Sequence, residues 1–175
     1  MWRVGLCHRN LRRRLTPRHP AIRAILAASG TTPMNQALAQ AKSVIETWLS
    51  QHPDCFPPIV INITDGEATD GDPSNAAEEI RRLKSNDGDV LLFNIHLSSQ
   101  KGQQAIEYPA SDTGLPDPYA HQLFRMSSVL PSQMAANASR EGSSAGEGAR
   151  GFVFNAEMQE VIKALDIGTR PSELR

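Results

Sequence analysis

The chain has 175 residues and a formal net charge of −1, enough for one domain with a sizeable core and no overall charge that selects a partner. No apolar run is long enough to span a membrane. Cys7 and Cys55 have no motif spacing, which excludes a disulfide scaffold and makes a reducing cytoplasm the expected compartment.

Charge is unevenly placed. No acidic residue precedes Glu46, whereas Arg3, Arg9, Arg12, Arg13, Arg14, Arg18 and Arg23 crowd the start. Such a block can touch nucleic acid or an anionic surface. No aromatic interleaving or nucleic-acid motif accompanies it, so neither nucleic acid nor membrane is expected as a partner. An Arg-rich, acid-poor start also resembles an organelle transit peptide.

Residues 1 to about 20 show no clear period. Ile22, Ile25 and Leu26 can begin a short helix or strand. Ala28-Ser29-Gly30-Thr31 then leads to Thr32-Pro33, which reads as a helix N-cap followed by the first helical residue. From about 33 to 50, Met34, Ala37, Leu38, Ala41, Val44, Ile45, Trp48 and Leu49 recur at three and four residues, the stripe of an amphipathic helix. His52-Pro53 ends it.

Residues 58–64 form an apolar run rich in β-branched side chains, closed by Asp65-Gly66. That reads as a buried strand of a parallel sheet. Asp72-Pro73 repeats the cap-then-proline pattern ahead of a helix over 74–85, with Ala76, Ala77, Ile80 and Leu83 inward. Asn86-Asp87-Gly88 turns the chain into a second apolar strand over 90–97. Strand, helix and strand joined by short connections imply parallel neighbours. Residues 98–117 read as a long polar loop, followed by helices near 118–126 and 131–140. Glu141 to Arg150 is Gly/Ser-rich and reads as flexible. Gly151 to Phe154 reads as a strand, and Asn155 as the cap of a last helix with Met158, Val161, Ile162 and Leu165 on one face and Gly168 at its end.

Stock motifs for chemistry fail. An EF-hand loop starting at Asp65 needs glycine where Asp70 stands and glutamate where Ala76 stands. There is no P-loop, no zinc spacing among the histidines, and no G-x-S-x-G elbow. His96, inside a strand, reads as a packed, hydrogen-bonded side chain rather than a ligand. Two oxygen-bearing residues remain at loop positions, Thr32 before a helix and Asp65 after a strand. Hard cations such as Mg²⁺ take oxygen ligands and keep several waters. A bland reading stands beside this one, in which Thr32 only caps a helix and Asp65 only turns the chain.

Ser29-Gly30-Thr31-Thr32-Pro33-Met34 resembles the GGTPM segment of von Willebrand factor A domains, and Val60-Ile61-Asn62-Ile63-Thr64-Asp65-Gly66 resembles their apolar strand ending in TDG. Tyr119 to Pro131 and Gly151 to Thr169 resemble the C-terminal half of bacterial members. The resemblance spans about residues 28–170, with 1–27 a basic segment apart. It implies a Rossmann-like, partly parallel α/β sheet flanked by helices. It also implies a protein-binding module in which Mg²⁺ or another divalent cation, at a metal-ion-dependent adhesion site, bridges to a partner's carboxylate. Thr32 and Asp65 match the threonine and aspartate of that site. Its D-x-S-x-S loop has no counterpart, so the resemblance implies a partial fold lacking the opening strands. Metal binding is then expected to be weak or absent, and the outer edge of strand 58–64 is expected to be unpaired. No enzyme activity and no small-molecule substrate are expected. The alternatives are an accessory subunit of an ATP-driven, metal chelatase-type complex, and a structural fragment that binds no metal.

Overall fold

The computed structural model describes residues 3–5, 32–97 and 104–169. The expectations for Ile22, Ile25 and Leu26, for the loop residues Ser29 to Thr31 and for 98–103 lie outside these residues, as does most of the basic segment.

A five-stranded sheet carries the fold. Its strands are β1 (Arg3–Gly5), β2 (Ile59–Thr64), β5 (Leu91–Leu97), β6 (Ile106–Glu107) and β7 (Phe152–Ala156), in the order β1-β2-β5-β7-β6. The central strands β2, β5 and β7 run parallel, with Ile61 opposite Phe93 and Ile95 opposite Val153. The parallel pairing expected of the two apolar runs is therefore present. Both edges are antiparallel: β1 lies on β2 and β6 on β7. The β2 edge, expected above to be unpaired, is instead partly covered, because Arg3 to Gly5 pair with Ile61 to Ile59.

Alternation along the strands divides the core in two. Val60, Leu92, Phe152 and Phe154 face α1 (Met34–Gln51), α2 (Ser74–Arg81) and α3 (Pro118–Met126). Ile59, Ile61, Phe93, Ile95 and Val153 face the side of α4 (Ser132–Arg140) and α5 (Met158–Thr169). Helices on both faces explain why these strands are apolar nearly throughout rather than alternating. Along α1, Met34, Leu38, Ala41 and Ile45 are buried as the stripe requires. Trp48 is only half-buried and lies against His52, with ring centroids 4.0 Å apart.

Several boundaries differ from the sequence reading, each for a local reason. The second helix stops at Arg81, because Lys84–Ser85 (β3) and Gly88–Asp89 (β4) form a hairpin around the Asn86-Asp87 turn. The long loop is interrupted by β6, which completes the sheet edge beyond β7. The Gly/Ser-rich stretch is anchored rather than loose, since Ala145 and Ala149 are buried and Arg150 Nη1 donates to the Ser127 carbonyl at 2.7 Å. Asn155 does not stand next to the first helical residue. It lies within β7 at φ 56, and α5 begins at Met158, where the Glu157 N–H donates to the Glu160 carboxylate at 2.9 Å. Of the face expected for the last helix, Val161 and Leu165 pack against the core. Ala164 and Ile167 are buried, whereas Met158 and Ile162 are 73% and 58% exposed. It also passes through Gly168 to Thr169.

No helix among the described residues is long and apolar enough to cross a membrane.

Candidate functional site

The parallel strands point their carboxyl ends at one edge of the sheet, where ligands of open α/β sheets bind. β2 delivers Asp65 there, β5 delivers His96, and β7 delivers Asn155. Asp65 is exposed. Thr64, the last residue of β2, is buried, and its hydroxyl donates to the Gly66 carbonyl at 2.7 Å while accepting the Gly66 N–H at 3.2 Å. Tyr119 of α3 also donates its phenol to the Gly66 carbonyl. The Asp65-Gly66 turn is therefore held from beneath by one hydroxyl and from the side by another.

Thr32 reaches the same place from a distant part of the sequence. A Cβ added to Gly66 would lie 3.7 Å from Thr32 Oγ1. The two residues picked out by sequence thus sit on neighbouring loops at one end of the sheet. Thr32 does not cap α1, however. The position before Met34 is Pro33, and no side chain of its own segment caps the helix.

The cap comes from the loop after β2. Asp70 Oδ1 accepts the Asn35 N–H at 3.0 Å, and Oδ2 accepts the Gln36 N–H at 2.7 Å. Those are unsatisfied donors of the first helical turn, and a carboxylate there also suits the helix dipole. Thr69 adds a reciprocal pair: its Oγ1 accepts the Thr32 N–H at 2.9 Å, and its own N–H donates to the Thr32 carbonyl at 2.9 Å. Sequence reasoning missed this arrangement because it looked for the cap next to the helix. The signal present was Thr69-Asp70 itself, two residues with capping side chains in one loop, but their target lies 34 to 37 positions away.

The remaining acids of the loop divide by role. Asp72 accepts the Ser74 N–H at 2.9 Å and a Gln122 amide N–H at 2.8 Å. Its hydrogen bonds, those from Ser74 foremost, hold its carboxyl below the usual range. Glu67 lines an open cleft of about 630 Å³ that continues along α3 past Ser74, Tyr119, His121, Gln122 and Arg125. Asp112 binds His121 Nδ1 at 3.2 Å and Arg125 at 3.3 Å, and the His121 hydrogen bond is the main reason its carboxyl is held low.

His96 is packed as the sequence suggested. Its ring stacks on Phe154 with centroids 4.3 Å apart, and its Nδ1 faces the Asn155 N–H at 3.4 Å. Burial lowers its pKa, and the Asp117 and Asp65 charges oppose that shift. Burial likewise pushes the Tyr119 phenol up to about 12, despite its hydrogen bond with Thr64. Beneath the site, Asn62 Nδ2 donates to Asn94 Oδ1 at 2.8 Å. Asn94 in turn donates to Ser127 Oγ at 3.0 Å and to the Leu123 carbonyl at 3.3 Å, tying α3 to the sheet.

A hydroxyl and a carboxylate are hard donors that suit Mg²⁺. Their number is small. Both Asp70 oxygens and Asp72 Oδ1 are engaged by N–H donors. Among the described residues no group of three or more His, Cys, Asp or Glu side chains could hold a metal ion. Thr32 and Asp65 would therefore leave most positions around a cation to water. No family model, curated protein or solved structure matches the chain.

Proposed function

We propose that this chain is a protein-binding module of the von Willebrand factor A type, docking its partner on the loop face at the carboxyl ends of β2, β5 and β7. Thr32 and Asp65 are the residues that would hold a divalent cation, Mg²⁺ by the chemistry of the donors. When bound, that ion offers positive charge to a carboxylate of the partner. The observation that carries the reading is the meeting of the Thr32 hydroxyl with the Asp65-Gly66 turn, although the two are separated by all of α1 and β2. The cleft along α3 begins at Glu67 and adds contact area beside the turn.

The function proposed is binding without catalysis. His96 Nδ1 is occupied by a backbone N–H, and His121 is turned to Asp112. Among the described residues neither imidazole is hydrogen-bonded to a hydroxyl that it could activate, which a nucleophile–base pair requires.

Calorimetric titration with Mg²⁺ tests the cation reading. With so few protein ligands to offset dehydration of the ion, binding is expected in the millimolar range or weaker and is lost in Asp65→Ala. Micromolar binding that survives Asp65→Ala would place the ion elsewhere, with Glu67 the first residue to examine.

A further inference from the structure

We infer that Asp70 and Thr69 are positioning residues of the Thr32–Asp65 site, which makes the loop after β2 and the start of α1 one mechanical unit. This rests on the reading of Thr32 and Asp65 as the binding pair. Thr32 has its N–H and its carbonyl both held by Thr69, at 2.9 Å each. Both carboxylate oxygens of Asp70 are spent on the next turn, on Asn35 and Gln36. The helix supplies no cap of its own. The residues that place the Thr32 hydroxyl over Gly66 therefore belong to the loop that begins with Asp65.

This arrangement answers a specific geometric problem. Thr32 sits before α1, where the Met34 N–H donates to its carbonyl at 2.8 Å, and Asp65 follows β2, so a bond to the helix alone does not fix Thr32 relative to the Asp65 loop. A shift of about 1 Å is enough to separate groups that must share a small ion. The Thr69–Thr32 pair supplies the tie to that loop, because displacing Thr32 relative to it breaks two hydrogen bonds together. Asp70 then fixes the helix end that follows. Neither residue needs to touch the ion. Outer partners that orient metal ligands commonly change affinity by about 10–100-fold when removed.

The test uses ¹⁵N/¹³C-labelled full chain and four variants: Asp70→Ala, Thr69→Val, Thr69→Ser and Ala39→Gly. Ala39 is exposed on α1 away from the clamp, and glycine there weakens the helix without touching the loop. The geometric readout is the nuclear Overhauser contact between the Thr32 side chain and the Gly66 α-protons. It should be present in the parent, in Thr69→Ser, which keeps the hydroxyl, and in Ala39→Gly. It should be lost or weakened in Asp70→Ala and Thr69→Val. A contact that persists at full strength in Asp70→Ala and Thr69→Val, even with a lowered melting temperature, reduces both residues to ordinary helix caps and overturns the inference. The functional readout is the Mg²⁺ titration of the Asp65 and Gly66 amide shifts, where Asp70→Ala should weaken the response ~10-fold and Ala39→Gly should leave it unchanged. Equal Mg²⁺ response in Asp70→Ala and parent would likewise contradict the inference. If the parent itself shows no Mg²⁺ response that Asp65→Ala removes, the cation reading fails, and the Overhauser contact alone still decides whether Asp70 and Thr69 place Thr32.

Discussion

Gly151 precedes β7 at a point where the backbone has no room to retreat. Its N–H donates to the Ser128 carbonyl at 2.9 Å, and its carbonyl accepts the Asn94 N–H at 2.8 Å. A Cβ added there would lie 2.5 Å from Cδ1 of Phe93 and 2.9 Å from Cε1. Carbon atoms pack at about 3.5–4.0 Å, so the ring would have to move by roughly an ångström. Phe93 is 1% exposed, in the middle of β5 and enclosed by the α4/α5 face of the core. Overpacking of this kind costs ~1–3 kcal/mol. With backbone bonds on both sides resisting relief, Gly151→Ala is expected near the middle of that range, ~2 kcal/mol. For a chain of this length that corresponds to a fall of about 4–8 °C in Tm.

Urea unfolding followed by circular dichroism should show a lower midpoint with an unchanged slope. A second substitution locates the cause. Phe93→Ala removes all three ring atoms that clash, Cγ, Cδ1 and Cε1, so Gly151→Ala should cost less in that background than alone, with a coupling of ~1 kcal/mol. Strict additivity of the two, or a neutral Gly151→Ala, would show that β7 and β5 do not approach as described.

Ile61 lies opposite Phe93 in the parallel pair and is 4% exposed, so Ile61→Ala should destabilise the fold by ~2–5 kcal/mol in the same assay. The chain has two tyrosines, and burial raises both phenols, Tyr119 to about 12 and Tyr108 further. A raised pKa favours the neutral phenol in the folded state, so this stability is full below the unfolded value near 10 and is lost as pH climbs towards 12. Absorbance at about 295 nm should show little tyrosinate at pH 10 while circular dichroism remains native, and half-ionisation there would contradict the burial of these side chains. His96 runs the other way. Its pKa is lowered by burial, so its contribution is present above the unfolded value of about 6.5 and declines as pH falls below it. His96→Gln should flatten that acid limb, and its ring protons should titrate below the ordinary histidine range.

Much of the frame was legible because the dominant signals are local. The stripe from Met34 to Ile45 has helical spacing, and Ile59 to Thr64 and Leu91 to Leu97 are apolar enough for strands covered on both faces. The helix expected near 118–126 is α3. The features that escaped depend on contacts between distant segments or on very short elements. β6 and the β3–β4 hairpin have two residues per strand, too few for a period to show. Asn155 has the chemistry of a cap, yet it also tolerates positive φ, and here it serves within β7. Sequence context singles out Thr32 and Asp65, and the structure brings the Thr32 hydroxyl to the Asp65-Gly66 turn, whereas the bonds from Thr69 and Asp70 to Thr32 and α1 show only with the loop and the helix side by side.

The central claim is that Thr32 and Asp65 form one cation-dependent binding face at the carboxyl ends of the parallel strands. Paramagnetic broadening by Mn²⁺ tests it most directly, since the ion takes the same oxygen donors as Mg²⁺ and its effect maps location even when binding is weak. In the parent chain, Mn²⁺ should broaden the amide signals of Thr32, Asp65 and Gly66 before those of other residues, and Asp65→Ala should abolish that selectivity while leaving the rest of the spectrum folded. Broadening centred on Glu46, Glu78 or other surface carboxylates, with Asp65→Ala without effect, would contradict the account.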